Sequence, residues 1–347
     1  MVGVKIGIDF GSANVTVYVE GKGIVFNEPS VMICDAVSGE VLAVGNEASE
    51  MLGKLPPSMK PVFPIREGVV NDFEAARKML SRYIDSVSSG KLFRPNVLLC
   101  VPSTVTEIAK KSLLNVVMAA GAGRACFVSE SLASAIGVGV SLTEPKGVCV
   151  CDIGGAVTDC AVVTMGNIAV SKAVSVGGSV LTQAIIDYVL RSNNLELGIP
   201  EAEKVKRTVG SAVLRDEEIA VFACGKNGDS GLPAFAEVNS TEIYYVLKPY
   251  LDQILNCLRD VLEESAPDLC GDILDSGVIL TGGTSNLYGM GEFIRRETGL
   301  KVILADEAEQ SAAIGIGLLL KNTKYLERNG YAFISEESKE EFENETE

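Results

Sequence analysis

Residues 9–17 read Asp9-Phe-Gly-Ser-Ala-Asn-Val-Thr-Val, and residues 152–160 read Asp152-Ile-Gly-Gly-Ala-Val-Thr-Asp-Cys; the two stretches align without a gap. Each ends an apolar, strand-like run on an aspartate, turns on glycine and re-enters a second strand-like run. One aspartate-glycine hairpin marks an ordinary tight turn. Two of them, each opening an α/β half of the same chain, predict a duplicated architecture whose halves present equivalent turns to a shared cleft.

The flanking sequence agrees with this reading. Strand-like runs (VKIGIDF, NVTVYVEG, KGIVF, NVLLCVP, ACFVSE, GVCVCDIG, DCAVVTMG, NIAVSKAVSV, GVILTGG) are interleaved with helix patterns over 72–88, 106–121, 178–194, 201–213, 241–265 and 290–299. The mixture predicts α/β architecture with sheets covered by helices. The proline-rich stretch LPPSMKPVFP, residues 55–64, reads as an extended surface connection.

A polyphosphate needs several backbone N–H donors in a concave turn, and glycine allows both the dihedrals and the close approach. Gly11-Ser12-Ala13-Asn14 and Gly154-Gly155-Ala156 meet that need. Asp9 and Asp152, at the strand ends, would face the same cleft and hold Mg²⁺ through its water shell, as that ion prefers. Each aspartate also suits a plain turn cap. A third glycine turn, Thr281-Gly282-Gly283-Thr284-Ser285, follows the apolar strand GVIL and suits a ribose and inner phosphate. Glu203 and Lys206 lie three apart on a predicted helix and so share a face. They are placed either to grip a nucleoside or to form an ordinary solvated pair.

Composition narrows the function classes. The chain of 347 residues has room for two domains. It contains no histidine, which removes serine and thiol hydrolases that use an imidazole base. Its nine cysteines, mostly within apolar runs, read as reduced core residues in a reducing compartment, and no second cysteine pair completes a zinc site beside Cys149 and Cys151. Neither GxxxxGK[ST] nor a GxGxxG after the first strand occurs. The net charge of −16 argues against nucleic acid as a partner. Residues 335–347 carry seven glutamates against one lysine and read as a solvated disordered tail. With no membrane-length apolar run and no signal-peptide pattern at MVGVKIGIDF, a cytoplasmic protein is expected.

Taken together, the two aspartate-glycine hairpins, the TGG turn and the glutamate-bearing helix resemble the actin, sugar kinase and heat-shock chaperone superfamily. Within it the chain resembles the bacterial MreB family, an actin-like group that determines rod shape. The resemblance runs from about residue 4 to residue 322, through IDFGSANVTVYVEGKGIVFNEPSV, PIREGVVNDFEAARKML, FRPNVLLCVPS, DIGGAVTD, VGGSVLTQAIIDYV and VILTGGTSNL. It implies a ribonuclease-H-type duplicated, two-lobed α/β fold with a central nucleotide cleft. The expected first lobe is 1–145 plus 312–334, with a small insertion near 33–75. The second is 146–311, with an insertion near 182–240. The resemblance also implies ATP and Mg²⁺ as ligands, with Ser12, Ala13 and Asn14 in one phosphate loop and Gly154, Gly155 and Ala156 in the other. Glu203 to Lys206 and Gly283 to Ser285 fall in the nucleoside pocket, and Glu130 where the family orients the attacking water.

Two departures bear on chemistry. Where the family reads DIGGGTT, this chain has Val157 in place of a hydroxyl, and Ser129-Glu130-Ser131 replaces Glu-Glu-Pro. Loss of one preorganised polar contact costs about 10² to 10³ in rate, so slow ATP hydrolysis is expected. The family implies self-assembly into filaments on the inner membrane face with cell-shape or wall-synthesis partners. Leu92 and Phe93, flanked by Lys91 and Arg94, would touch the membrane, or else cover the neighbouring strand. A nucleotide-locked scaffold that does not polymerise is the alternative. A phosphotransferase would need an acceptor site for which no insertion is evident.

Overall fold

The structure, a computed structural model, describes residues 3–338. Alternating small and β-branched residues build the first sheet from β1 (Lys5–Phe10), β2 (Asn14–Val19), β3 (Gly23–Pro29), β4 (Asn96–Val101) and β5 (Arg124–Ser129). The second uses β6 (Val148–Ile153), β7 (Thr158–Thr164), β8 (Asn167–Val174), β9 (Val278–Thr281) and β10 (Val302–Leu304). Their spatial orders, β3-β2-β1-β4-β5 and β8-β7-β6-β9-β10, are the same. So are their senses: β1/β2 and β2/β3 are antiparallel, as are β6/β7 and β7/β8, while β1/β4, β4/β5, β6/β9 and β9/β10 are parallel. Asp9 pairs with Thr16 and Asp152 with Asp159, so the repeat seen in the sequence is also a repeat of register.

Helices fill the outer faces and the seam. They are α1 (Phe73–Ser88), α2 (Glu107–Ala119), α3 (Glu130–Gly137), α4 (Gly178–Asn193), α5 (Ile199–Val209), α6 (Ser240–Glu264), α7 (Met290–Thr298) and α8 (Ser311–Lys321). The Asp72 side chain caps α1 by accepting from the Ala75 N–H at 2.9 Å. A reciprocal Asn239/Glu242 capping box starts α6, whose Ile243, Leu247, Leu251, Ile254, Leu258 and Val261 recur at helical spacing and are buried. Each lobe has its own core. A third apolar cluster lies between the sheets, where Leu132, Ala133 and Ile136 of α3 meet Ala312, Ile316 and Leu319 of α8.

The α3–α8 crossing is tight because both backbones are bare there. A Cβ on Gly137 would sit 1.9 Å from the Ser311 carbonyl oxygen, and one on Gly315 would sit 1.7 Å from that of Ala133. α3 follows β5 and α8 follows β10, so the crossing pairs topologically equivalent helices across the seam.

Two small sheets stand on the lobes: Met32–Asp35, Val41–Val44 and Met59–Val62 on the first, and Leu195–Glu196, Ala220–Asn227 and Pro233–Asn239 on the second. Residues 55–64, expected as a plain connection, thus contain a strand: Met59–Val62 pairs antiparallel with Met32–Asp35 at the edge of its sheet, a position that tolerates its one proline, Pro61. The expected tail also begins in ordered structure, since Ile334–Ser335 pairs with β5; residues 339–347 lie outside the described residues. Cys224 is an exception to the core reading of the cysteines, being exposed on the second small sheet.

Candidate functional site

The cleft between the lobes encloses a volume of about 700 Å³. Of the residues singled out from sequence, Asp9, Gly11, Ser12, Ala13, Asn14, Glu130, Asp152, Gly154, Gly155, Ala156, Glu203, Lys206, Gly282, Gly283 and Thr284 line it. Ser285 does not; it is buried beneath the turn, where its hydroxyl donates to the Thr281 carbonyl. Leu92 and Phe93, between α1 and β4, are not among the cleft-lining residues and are 86% and 43% exposed. They do not cover the neighbouring strand to the extent of hiding from solvent. Among the described residues no helix is long and apolar enough to cross a membrane.

The β1–β2 and β6–β7 turns are local copies of each other. A Cβ on Gly11 would lie 3.0 Å from the Asn14 carbonyl oxygen and 3.9 Å from Asp9 Oδ1; on Gly154 the corresponding distances to Val157 and Asp152 are again 3.0 and 3.9 Å. The two turns meet at Gly155, where a Cβ would fall 2.4 Å from that of Ala13. Only glycine lets the loops close to this separation. A hairpin of Ile65–Arg66 and Val69–Val70 covers one side. Its tip, Glu67 at φ 51° and Gly68 at φ 76°, takes the two left-handed positions such a turn requires. The Gly68 N–H donates to Ser12 Oγ at 3.1 Å, tying the hairpin to the first loop.

Four carboxylates gather at this end of the cleft. Asp9 is pushed up to about 7, first by burial and then by the charge of Asp152. Glu130, the first residue of α3, is raised well above its ordinary value by burial and then by Asp9, Asp152 and Asp159. Burial also raises Asp152, against which Ser134 Oγ at 2.6 Å and Thr281 Oγ1 at 2.7 Å donate to its Oδ2. Asp159 is pushed up to about 7 by burial, although the Ser103 N–H donates to it at 2.8 Å and the Ser103 hydroxyl donates as well. Among the described residues, Asp9 and Glu130 receive no hydrogen bond and no ion pair.

Such a set is short of positive charge, which fits a divalent cation. Among the described residues no three acidic or cysteine side chains converge closely enough to ligate an ion directly. A hard cation bound through its own waters would suit such a set, with Asp9 and Asp152 as its outer partners.

At the other end, Lys206 Nζ donates to the Gly178 carbonyl at 2.8 Å, to Thr182 Oγ1 at 2.8 Å and to Glu203 Oε1 at 2.7 Å. Burial lowers the Lys206 ammonium, and the adjacent Glu203 opposes that shift. The network links α4 to α5 and the Thr284 turn, whose hydroxyl donates to the Gly154 carbonyl at 2.8 Å.

Sequence reasoning missed several contributors. Asp159 was within reach of it, because it occupies the place of Thr16 in the repeat. Glu309, which accepts from Asn14 Nδ2 across the cleft, and Gly68 carry no local signal, since only the tertiary fold brings them to the loops.

Known proteins can be set against this geometry. The family model described as MreB/Mbl protein matches residues 3–328. The cell shape-determining protein Mbl of Bacillus subtilis is 38% identical over 320 residues, covering 91% of this chain and 96% of that protein. Cell shape-determining protein MreB of Escherichia coli is 36% identical over 338 residues, 96% of each. MreB 5 of Spiroplasma citri bound to AMPPNP superimposes with a TM-score of 0.88 at 32% identity, covering 95% of this chain and 99% of that one. The same protein bound to ADP gives 0.88 at 31%, covering 94% and 99%.

Proposed function

We propose, from the premise that this chain belongs to the MreB/Mbl protein family of actin-like cell shape-determining proteins, that its cleft binds ATP and ADP with Mg²⁺ and that binding governs assembly into membrane-associated filaments. The observation that carries this reading is the pair of register-matched glycine turns meeting over a cation-deficient carboxylate cluster. A solved relative at 32% identity holds AMPPNP, which supports a nucleoside triphosphate as the ligand.

On this reading the backbone N–H groups of residues 11–14 and 154–156 cradle the phosphates, and Mg²⁺ held beside Asp9 and Asp152 would supply charge neutralisation there. Glu203, Lys206 and the 282–284 turn hold the nucleoside. Glu130, unpaired and held at the start of α3, orients the attacking water. Val157 sets methyl groups where the family has a hydroxyl, and they lie beside the Gly68 hairpin tip, where a Cβ added to Gly68 would fall 3.6 Å from Val157 Cγ2. Hydrolysis is therefore slow. The lobes are taken as 1–145 with 312–334 and 146–311. The protein acts in the cytoplasm at the inner membrane face, with cell-shape or wall-synthesis proteins as partners, and Leu92 and Phe93 are its membrane contact.

The test is sedimentation with ATP·Mg²⁺, ADP·Mg²⁺ or no nucleotide, with phosphate release read on the same samples. ATP-dependent pelleting with little phosphate, and a rise of about ten- to a hundredfold in phosphate release for Val157→Thr, are expected. Tight nucleotide binding without pelleting would favour a scaffold that does not polymerise. Fast phosphate release by the wild type, lost in Glu130→Ala, would refute the slow-hydrolysis claim.

A further inference from the structure

One aromatic ring at the nucleoside end of the cleft is built as a stacking surface. Tyr288 lines the cavity and is 52% exposed. The Arg215 guanidinium covers the ring, its Cζ 3.7 Å from the ring centroid. Arg215 itself does not line the cavity, whereas Tyr288 does, so the cation covers one face of a ring that the cleft reaches.

The backing is fixed by its own chain segment. The Ala212 N–H donates to the Tyr288 carbonyl at 2.8 Å, and Arg215 Nη2 donates to the Gly210 carbonyl at 3.3 Å. Next to the tyrosine, Gly289 has a φ of 75°, and a Cβ there would lie 2.4 Å from Val213 Cγ2. The segment after α5 is thus wrapped against the back of the Leu287–Tyr288 turn. The Arg215 Nε within it is buried without a hydrogen-bond partner, which its place over the π face partly offsets. A cation held on one side of an aromatic ring fixes the ring's plane and raises the cost of losing it.

We propose that Tyr288, backed by Arg215, is a base-contacting residue that stacks on the nucleobase and favours purine over pyrimidine nucleotides through the larger overlap of the purine rings. The inference rests on the nucleotide-cleft reading and extends it to base selection. Stacking is tolerant of the base's hydrogen-bonding pattern, so the platform selects for ring area and leaves the distinction between adenine and guanine to Glu203, Lys206 and the neighbouring backbone.

The chain has no tryptophan, so Tyr288→Trp introduces a single reporter at the ring itself. Titration of that variant with ADP·Mg²⁺ and with UDP·Mg²⁺ is expected to quench its fluorescence more strongly with the purine. In parallel, Tyr288→Ala is expected to weaken ADP about tenfold and UDP less, while Tyr288→Phe stays near wild type. Circular dichroism melts of all three variants verify that they fold. Unchanged ADP and UDP affinities in Tyr288→Ala, together with an unresponsive Tyr288→Trp, would overturn the stacking role while leaving the cleft as the nucleotide site. Failure of the wild type to bind either nucleotide would overturn the cleft reading and the stacking role with it.

Discussion

Asp9, near the end of β1 and beside Asp152, has its proton affinity raised by burial and by that second charge. Held at about 7, the group keeps its proton at pH 6 and loses it at pH 8. Because cation binding needs the deprotonated form, the proton must leave when Mg²⁺·nucleotide arrives. Affinity for Mg²⁺·ADP should therefore rise with pH through 7, by up to about tenfold per unit below that value. Calorimetric titrations in buffers of different ionisation enthalpy should register net proton release at pH 6.5, and Asp9→Asn should flatten the slope. The sign for stability runs the other way. A carboxyl raised in the folded state binds more protons there than in the unfolded chain, so the nucleotide-free fold loses stability as pH climbs from 4 towards 7. The sequence marks Asp9 and Asp152 through the repeat and Thr281 as part of the third glycine turn, yet it carries no hint that Ser134 and Thr281 hold Asp152 by two hydrogen bonds from a remote helix and strand.

At the scale of elements, helices α1 and α6 were legible because their apolar residues recur at helical spacing behind a capping residue. Helix α8 was not: SAAIGIGLLLK is apolar on nearly every side, since it packs between two lobes, and periodicity vanishes when no face meets water. Its small residues are explained only by the crossing with α3. Gly315→Ala should cost about 1–3 kcal/mol, read from the urea midpoint, because the added methyl meets a backbone oxygen that cannot move as a side chain tip would. The loop after α1 makes the opposite case. Leu92, 86% exposed, contributes little to the fold, so Leu92→Ser with Phe93→Ser should leave the urea midpoint within about 0.5 kcal/mol of wild type. The same pair should abolish flotation of assembled protein with liposomes, since each buried side chain adds about 1.5–3 kcal/mol and a filament repeats that gain along its length. Flotation undiminished by the double change would remove the membrane role of this loop.

For the whole molecule, the lobes meet at the α3–α8 crossing and by hydrogen bonds across the cleft. Asp159 of β7 takes both donors of Ser103 from the first lobe, and Asn14 reaches Glu309. Ser103→Ala should loosen closure without touching either core. One net hydrogen bond is worth about 1 kcal/mol, so amides of the two glycine turns should exchange about fivefold faster by mass spectrometry, with β4 and β9 unchanged and ADP·Mg²⁺ restoring protection. Unaltered exchange in the turns would mean that the α3–α8 crossing alone holds the lobes together there. The matched registers of the two hairpins also leave the jaws of the cleft alike in backbone and unlike in charge: Thr16 stands opposite Asp9, whereas a second carboxylate, Asp159, stands opposite Asp152.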